Sequence, residues 1–104
     1  MFKPVGPTAL KSMLDSPSPP RLVDVRTAAE VARGHIEGAD VIELSTLPGA
    51  VDRLPSDGAL VLYCHSGGRS AQACNYLAQR GFKDLYNLEG GITAWTGAGL
   101  PVKS

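Results

Sequence analysis

The sequence predicts an α/β fold of three layers, in which a central, mainly parallel sheet of about five strands carries helices on both faces. Short apolar segments alternate with segments of helical periodicity, an arrangement typical of parallel strands joined by helical crossovers. One of these segments, Leu60–Tyr63, is apolar throughout, which predicts a strand buried on both faces. With 104 residues, 43% of them hydrophobic, the chain is expected to form one domain, residues 1–104, with its own core.

Two elements are predicted ahead of the first buried strand. Phe2–Val5 fits a short edge strand, because Pro4 cannot donate a hydrogen bond inside a sheet. A short helix is predicted over Pro7–Leu14, with the proline at its start. The proline-rich segment 16–20 is interpreted as a stiff loop and not as a domain linker, because the part before it is too small to fold alone.

The next strand, Arg21–Val25, leads into a helix whose start is marked by its capping residues. The Thr27 side chain can accept a hydrogen bond from the first turn while Glu30 reaches back to the cap, the pattern of a capping box. The helix is expected to continue over residues 28–32. A third strand is predicted within Ala39–Leu44.

The second half of the chain repeats this alternation. Leu47–Leu54 is predicted to form a broken helix interrupted at Pro48–Gly49. The last strand is placed at Asp84–Leu88 and the last helix at Ile92–Thr96. Trp95 is expected to pack that helix onto the sheet.

The longest predicted helix begins after Arg69 and ends near Gly81. Residues spaced three and four apart share a helix face, and one such face is apolar while the other is polar. Cys74 lies on the apolar face, so we expect it to pack in the core instead of taking part in redox chemistry. The predicted apolar face consists of Ala71, Cys74, Leu77 and Ala78, and the polar face of Gln72, Asn75, Gln79 and Arg80.

A cysteine, Cys64, follows the central strand directly. A thiol at a strand-to-helix turn faces backbone N–H groups and the positive end of a helix, and both favour the thiolate, which is the nucleophilic form. Gly67 and Gly68 allow the backbone to bend tightly and to turn its amides towards an anion. The sequence therefore predicts Cys64 as a catalytic nucleophile in an anion-binding loop formed by His65, Ser66, Gly67, Gly68, Arg69 and Ser70.

Charge and composition narrow the classes of partner. Ten basic and ten acidic residues give a formal net charge of zero, so nothing favours nucleic acid or a membrane surface. No apolar run approaches the roughly 18 residues of a membrane span. No set of Cys, His and carboxylate residues has ligand spacing, so no metal and no cofactor is expected. The chain has neither a signal-peptide pattern nor a disulfide framework, so it is predicted to be cytoplasmic. It is also predicted to be a monomer, because nothing in the sequence demands a partner subunit.

Four segments, in register, resemble the small single-domain form of the rhodanese family. The resemblance covers about Leu22–Pro101 and implies the rhodanese-type arrangement of strands and helices. The segment Val41–Glu43 departs from the family pattern, since many members have Asn-Ile-Pro there. The matching segments are Leu22–Arg26 with its D-x-R strand end, Glu30 followed by Gly34–Ala39, the C-x-x-G-x-R-S loop Cys64–Ser70, and Leu88–Ile92 followed by Trp95 and Gly99–Pro101.

The resemblance implies a sulfurtransferase that carries sulfane sulfur as a persulfide on Cys64. The thiolate would take the outer sulfur of thiosulfate or a similar donor and pass it to a thiophilic acceptor such as cyanide or a thiol. Loop amides would stabilise the anionic terminal sulfur, and Arg69 would either hold the anionic donor or brace the loop. The alternative is a sulfur-carrier or regulatory module that acts on a protein partner, for example a sulfur-relay protein.

The length of the loop argues against phosphatase chemistry. Cysteine-based phosphatases use a C-x5-R loop, whereas four residues separate Cys64 from Arg69. One amide fewer makes a smaller ring, which suits a single sulfur atom better than a tetrahedral phosphate. A phosphatase and an arsenate reductase are both disfavoured on this ground.

Asp24 and Arg26 are predicted to support the site. Asp24 ends a strand on the side where ligands bind, and it could accept hydrogen bonds from loop amides or pair with Arg26. Arg26 and Glu30 are four residues apart, which suggests a partly exposed ion pair. His35 is expected to make structural hydrogen bonds, and His65 to lie either at the rim of the site or in solvent.

Overall fold

The computed structural model describes residues 2–104, and a sheet of five parallel strands runs through its centre. The predicted α/β class is confirmed, and the sheet is entirely parallel. The strand order β1-β5-β4-β2-β3 places β4 in the middle, between β5 and β2. The strands are β1 (Lys3–Val5), β2 (Arg21–Asp24), β3 (Asp40–Val41), β4 (Leu60–Tyr63) and β5 (Leu85–Leu88).

Helices cover both faces of the sheet. Side chains of β4 alternate between two hydrophobic clusters, because neighbouring residues of a strand point to opposite faces: Leu60 and Leu62 belong to one cluster, Val61 and Tyr63 to the other. The first cluster is covered by α3 and α4, and the second by α1 and α5. The helices are α1 (Pro7–Leu14), α2 (Ala28–Ala32), α3 (Leu47–Ala50), α4 (Gly68–Ala78) and α5 (Gly91–Gly97).

Several local predictions are confirmed by the positions of single residues. Pro4 lies in β1 at the edge of the sheet, and Pro7 is the first residue of α1. Trp95 is buried beneath α5, and its indole Nε1 donates a hydrogen bond to the Pro101 carbonyl at 2.8 Å. Thr27 and Glu30 form the predicted capping box at the start of α2.

The third strand lies within the predicted segment Ala39–Leu44 and is two residues long. Its partner β2 ends at Asp24, where the Asp24 carboxylate accepts the Arg26 backbone N–H at 2.9 Å and turns the chain away. The segment after β3 still follows this end of the chain, since the Ile42 N–H donates to the Asp24 carbonyl at 2.9 Å and the Leu44 N–H to the Val25 carbonyl at 3.1 Å, and a 3₁₀ turn then begins at Leu44.

The broken helix is present, but Pro48–Gly49 does not interrupt it. Both residues lie within α3, where the proline occupies the first turn and its missing N–H leaves no acceptor unpaired. The breaks instead fall on either side of α3, which is flanked by the 3₁₀ turns Leu44–Thr46 and Val51–Arg53.

The buried face of α4 is rotated relative to the prediction. Ser70, Ala73, Cys74 and Leu77 are buried, whereas the predicted Ala71 and Ala78 are only half-buried. The hydroxyl-bearing Ser70 thus belongs to the inner face, which hydrophobicity could not indicate. Burial raises the pKa of the Cys74 thiol to about 12, in keeping with the predicted core role. No helix within residues 2–104 is long and apolar enough to cross a membrane.

Candidate active site

Cys64 follows the last residue of β4, and its sulfur is surrounded by donors from the turn into α4. The Gly67 N–H lies 3.1 Å from Cys64 Sγ, the Ser70 N–H 3.4 Å and the Ser70 hydroxyl 3.5 Å. Gly67 adopts a φ of +110°, which favours glycine because it has no Cβ.

These donors outweigh the effect of burial on the thiol. Burial of Cys64 acts to raise its pKa, but hydrogen bonds from the Ser70 hydroxyl and from the amides of Ser70, Gly67 and Ser66 act against it. The resulting pKa lies below that of an ordinary cysteine, so a larger fraction of the thiolate is present at neutral pH.

The other predicted loop residues take different places around the sulfur. His65 and Ser66 are exposed and line a cleft of about 520 Å³ that opens above the loop. The His65 Nε2 lies 3.4 Å from the Thr93 hydroxyl at the rim. Gly67 caps α4 and Gly68 is its first residue, and the Arg69 side chain reaches Glu30 of α2.

Arg69 forms a two-pronged ion pair with Glu30 of α2. Its Nη1 and Nη2 each lie 2.8 Å from a Glu30 carboxylate oxygen. Hydrogen bonding from Arg69 is the main cause that lowers the pKa of Glu30 to about 2, so the pair stays ionised at neutral pH. This geometry favours a brace between α2 and the loop over a free cation waiting for an anionic donor.

The predicted ion pair between Arg26 and Glu30 is wrong. Arg26 precedes the N-cap Thr27, so the two residues do not share a helix face, and Arg26 reaches only the Glu30 backbone carbonyl at 3.5 Å. The Glu30 carboxylate is instead divided between Arg69 and the capping contact with Thr27.

Asp24 and Arg26 pair with each other beneath the cleft. Arg26 Nη2 lies 2.7 Å from Asp24 Oδ2, and both side chains are almost fully buried, with 5% and 0% exposed. Of the two possibilities for Asp24, the structure thus shows the pairing with Arg26. The same Nη2 donates to the Gly34 carbonyl at 2.7 Å, and the guanidinium lies 5.6 Å from the centre of the Tyr63 ring. The pair therefore ties the end of β2 to the segment after α2.

His35 makes hydrogen bonds through its backbone, whereas its buried ring Nδ1 has no hydrogen-bond partner within residues 2–104, so the structural hydrogen bonds expected of its side chain are not found. Its N–H donates to the Lys103 carbonyl at 2.7 Å, and its carbonyl accepts from the Lys103 N–H at 2.8 Å. This short antiparallel bridge brings the segment after Pro101 to the side of the cleft, where Val102 forms part of the wall.

The start of α5 supports the loop from the other side, a contact that sequence reasoning missed. The Ile92 N–H donates to the Cys64 carbonyl at 2.9 Å, and the Thr93 N–H to the His65 carbonyl at 3.2 Å. Gly91 has a φ of +60°, and a Cβ there would overlap both carbonyls. In the sequence, the pair Gly90–Gly91 indicates tight backbone geometry before the helix, but not the contact with the loop.

Asn87 of β5 is a second site residue that sequence reasoning missed. Its Oδ1 lies at short hydrogen-bond distance from the Ser70 hydroxyl, whose single proton is donated either to this oxygen or to Cys64 Sγ, and its Nδ2 donates to the Gly67 carbonyl at 3.2 Å. Asn87 therefore holds Ser70 and Gly67, both of which donate to Cys64 Sγ. Pairing with Leu62 places it beside the loop, and no sequence motif marks that position.

Ser70→Ala is expected to raise the pKa of the Cys64 thiol, because the hydroxyl that can donate to the thiolate is lost. The rate of alkylation by iodoacetamide as a function of pH measures this shift. Ser66→Ala is the control, since Ser66 is exposed and contributes only its backbone N–H. An unchanged pH profile for Ser70→Ala would contradict a role of its hydroxyl in stabilising the thiolate.

Across residues 2–104, no three His, Cys, Asp or Glu side chains are grouped as a metal site would require. The site presents a thiol of lowered pKa directly before His65 and Ser66, two residues of the cleft wall. Known proteins that are similar to this chain indicate both its family and its fold.

The family model of the rhodanese-like domain matches residues 6–98 of this chain. A sulfurtransferase of Allochromatium vinosum is 47% identical over 81 residues, which span 78% of this chain and 76% of that protein. The thiosulfate sulfurtransferase GlpE of Shewanella oneidensis is 34% identical, with 90% and 92% covered. The crystal structure of a rhodanese-like domain protein from Staphylococcus aureus superposes with a TM-score of 0.88 at 36% identity, covering 99% of this chain and all of that one. The chain belongs to the rhodanese-like domain family, and its relatives support a sulfurtransferase.

Proposed function

We propose that this protein transfers sulfane sulfur from thiosulfate, or a similar donor, to a thiophilic acceptor through a persulfide on Cys64. The observation that carries the proposal is the convergence of the Gly67 and Ser70 N–H groups, with the Ser70 hydroxyl beside them, on the sulfur of Cys64, which directly precedes the cleft residues His65 and Ser66. The relative named as a thiosulfate sulfurtransferase supports thiosulfate as a donor.

The first half-reaction forms the persulfide. The Cys64 thiolate attacks the outer sulfur of thiosulfate, a new S–S bond forms, and the old S–S bond breaks with its electron pair leaving on sulfite. The outer sulfur of the persulfide then carries the negative charge, which amides of the loop stabilise as an oxyanion hole does for oxygen.

The second half-reaction returns the enzyme to its starting state. A cyanide ion or a thiolate attacks the outer sulfur, and the electron pair of the broken S–S bond returns to Cys64 as a thiolate. The cycle needs no external oxidant or reductant and predicts ping-pong kinetics. The four-residue spacing to Arg69, with Arg69 held by Glu30, also leaves no guanidinium free inside the loop to clamp a phosphate.

Cys64→Ser is expected to abolish sulfur loading. Intact-protein mass spectrometry after incubation with thiosulfate should show one added sulfur atom on the unmodified chain and none on the variant. Cys74→Ala is the matched control, because its thiol is buried in the core and has a raised pKa, and it should load normally. Loading that survives in Cys64→Ser would overturn the mechanism.

The identity of the sulfur acceptor distinguishes an enzyme that acts on small molecules from a sulfur carrier that acts on a protein. Turnover of thiosulfate with cyanide supports the enzyme. No such turnover, together with persulfide formation when a cysteine desulfurase is supplied, would instead support a carrier that passes sulfur to a protein. The open cleft of about 520 Å³ favours small-molecule substrates.

A cytoplasmic monomer is part of the same proposal. Both cysteines are free, and a thiol that must form a persulfide has to stay reduced, as cytoplasmic conditions allow. Light scattering coupled to size-exclusion chromatography measures the oligomeric state.

A further inference from the structure

Three arginine side chains line the cleft above Cys64, and two of them already have a carboxylate partner. Arg26 is paired with the buried Asp24, and Arg69 with Glu30. Each of these pairs adds no net charge to the cleft. The third arginine of the cleft wall, Arg33, has no carboxylate that offsets its charge within residues 2–104.

Arg33 immediately follows α2, and its side chain is exposed. Within the part of the chain that the structure describes, no carboxylate forms an ion pair with it. Its backbone N–H is used in the last turn of α2, donating to the Glu30 carbonyl at 3.1 Å. The backbone is therefore fixed, while the guanidinium can offer its planar pair of donors to a ligand.

The cleft is too large for an inorganic anion alone. A volume of about 520 Å³ lies in the range of sites for small organic molecules. Its wall includes the aliphatic side chains of Ile92 and Val102 and the methyl-bearing Thr93 and Thr96. A substrate that fills it needs an organic body, with its sulfur at the loop and any anionic group near Arg33.

We propose that Arg33 is a specificity-determining residue, which binds the carboxylate of a small organic thiol that accepts sulfur from Cys64. This inference deepens the proposed function and rests on it. The acceptor thiolate attacks the outer persulfide sulfur, forming an organic persulfide, and the electron pair of the broken bond returns to Cys64 Sγ. Arg33 takes part only by holding the acceptor, through hydrogen bonds assisted by opposite charge.

A single-turnover experiment isolates this step. The protein is loaded with thiosulfate, loading is verified by mass, and the persulfide is mixed with N-acetylcysteine or with N-acetylcysteine amide, which lacks the carboxylate. The rate constant for each thiol is compared between variants, so that differences in intrinsic thiol reactivity cancel. Arg33→Gln should lower the ratio of acid to amide rates by about three- to tenfold.

Two further variants test whether the effect depends on the position and on the charge of Arg33. Arg53→Gln removes an exposed arginine that does not line the cleft, and its acid-to-amide ratio should equal that of the unmodified protein. Arg33→Glu should lower the ratio further and should accelerate transfer to the cationic thiol cysteamine. The effect of Arg33→Gln should also shrink as salt is added, because exposed charges are screened.

The outcomes separate the two proposals. Normal loading with an unchanged acid-to-amide ratio in Arg33→Gln and Arg33→Glu overturns the role of Arg33 and leaves the persulfide mechanism intact. A failure of the unmodified protein to load any sulfur overturns the proposed function, and the role of Arg33 with it.

Discussion

Gly91→Ala should disrupt the loop around Cys64 and lower the free energy of unfolding by about 3 kcal/mol. Two costs add at this position. The φ of +60° is unfavourable for alanine, and the new Cβ would overlap the carbonyls of Cys64 and His65. Those carbonyls belong to a backbone held by α5 itself, through the hydrogen bond from the Ile92 N–H. Relief of the overlap must therefore move the loop, the helix or both.

Urea unfolding and the rate of Cys64 alkylation together measure this effect. Gly99→Ala is the matched control: Gly99 also has a positive φ, +80°, but a Cβ there meets nothing within 4 Å. It pays only the conformational cost, about 1 kcal/mol, and should leave the reactivity of Cys64 unchanged. If the two variants lose equal stability and react at equal rates, the contact between α5 and the loop does not position the thiol.

The sequence predicted those parts of the fold that depend on neighbouring residues. The capping box of α2 needs only Thr27 and Glu30, three positions apart. The central strand needs only the apolar run Leu60–Tyr63, because a segment buried on both faces leaves no polar position. Such features are local, and a single sequence contains all the information that they require.

Contacts between residues that lie far apart in the sequence could not be predicted from local patterns. The partner of Glu30 is Arg69, 39 positions away, whereas spacing along the chain suggested Arg26. Asn87 reaches the loop because β5 pairs with β4 in a register that places it beside Leu62. Neither contact follows from composition or periodicity, since each is fixed by how the strands align.

The buried pair of Asp24 and Arg26 provides the second large effect, because Asp24→Ala should cost about 3–5 kcal/mol of stability. The change leaves the guanidinium of Arg26 buried with the Gly34 carbonyl as an acceptor but without a counter-charge. Asp40→Ala is the control. It breaks an exposed pair with Arg21, in which about half of each side chain is exposed, and should cost about 1 kcal/mol or less.

Bond length cannot be the origin of this difference. The exposed pair is as short as the buried one, 2.6 Å between Arg21 Nη2 and Asp40 Oδ2 against 2.7 Å between Arg26 Nη2 and Asp24 Oδ2. Burial separates them, since water can replace the lost partner of Arg21 but not that of Arg26. Asp24 also accepts the Arg26 backbone N–H, which adds to the cost of removing it. The double change Asp24→Leu with Arg26→Leu removes both charges and should recover a large part of the stability lost in Asp24→Ala, as measured by urea unfolding. If the double variant is no more stable than Asp24→Ala, the uncompensated charge is not the cause of the loss.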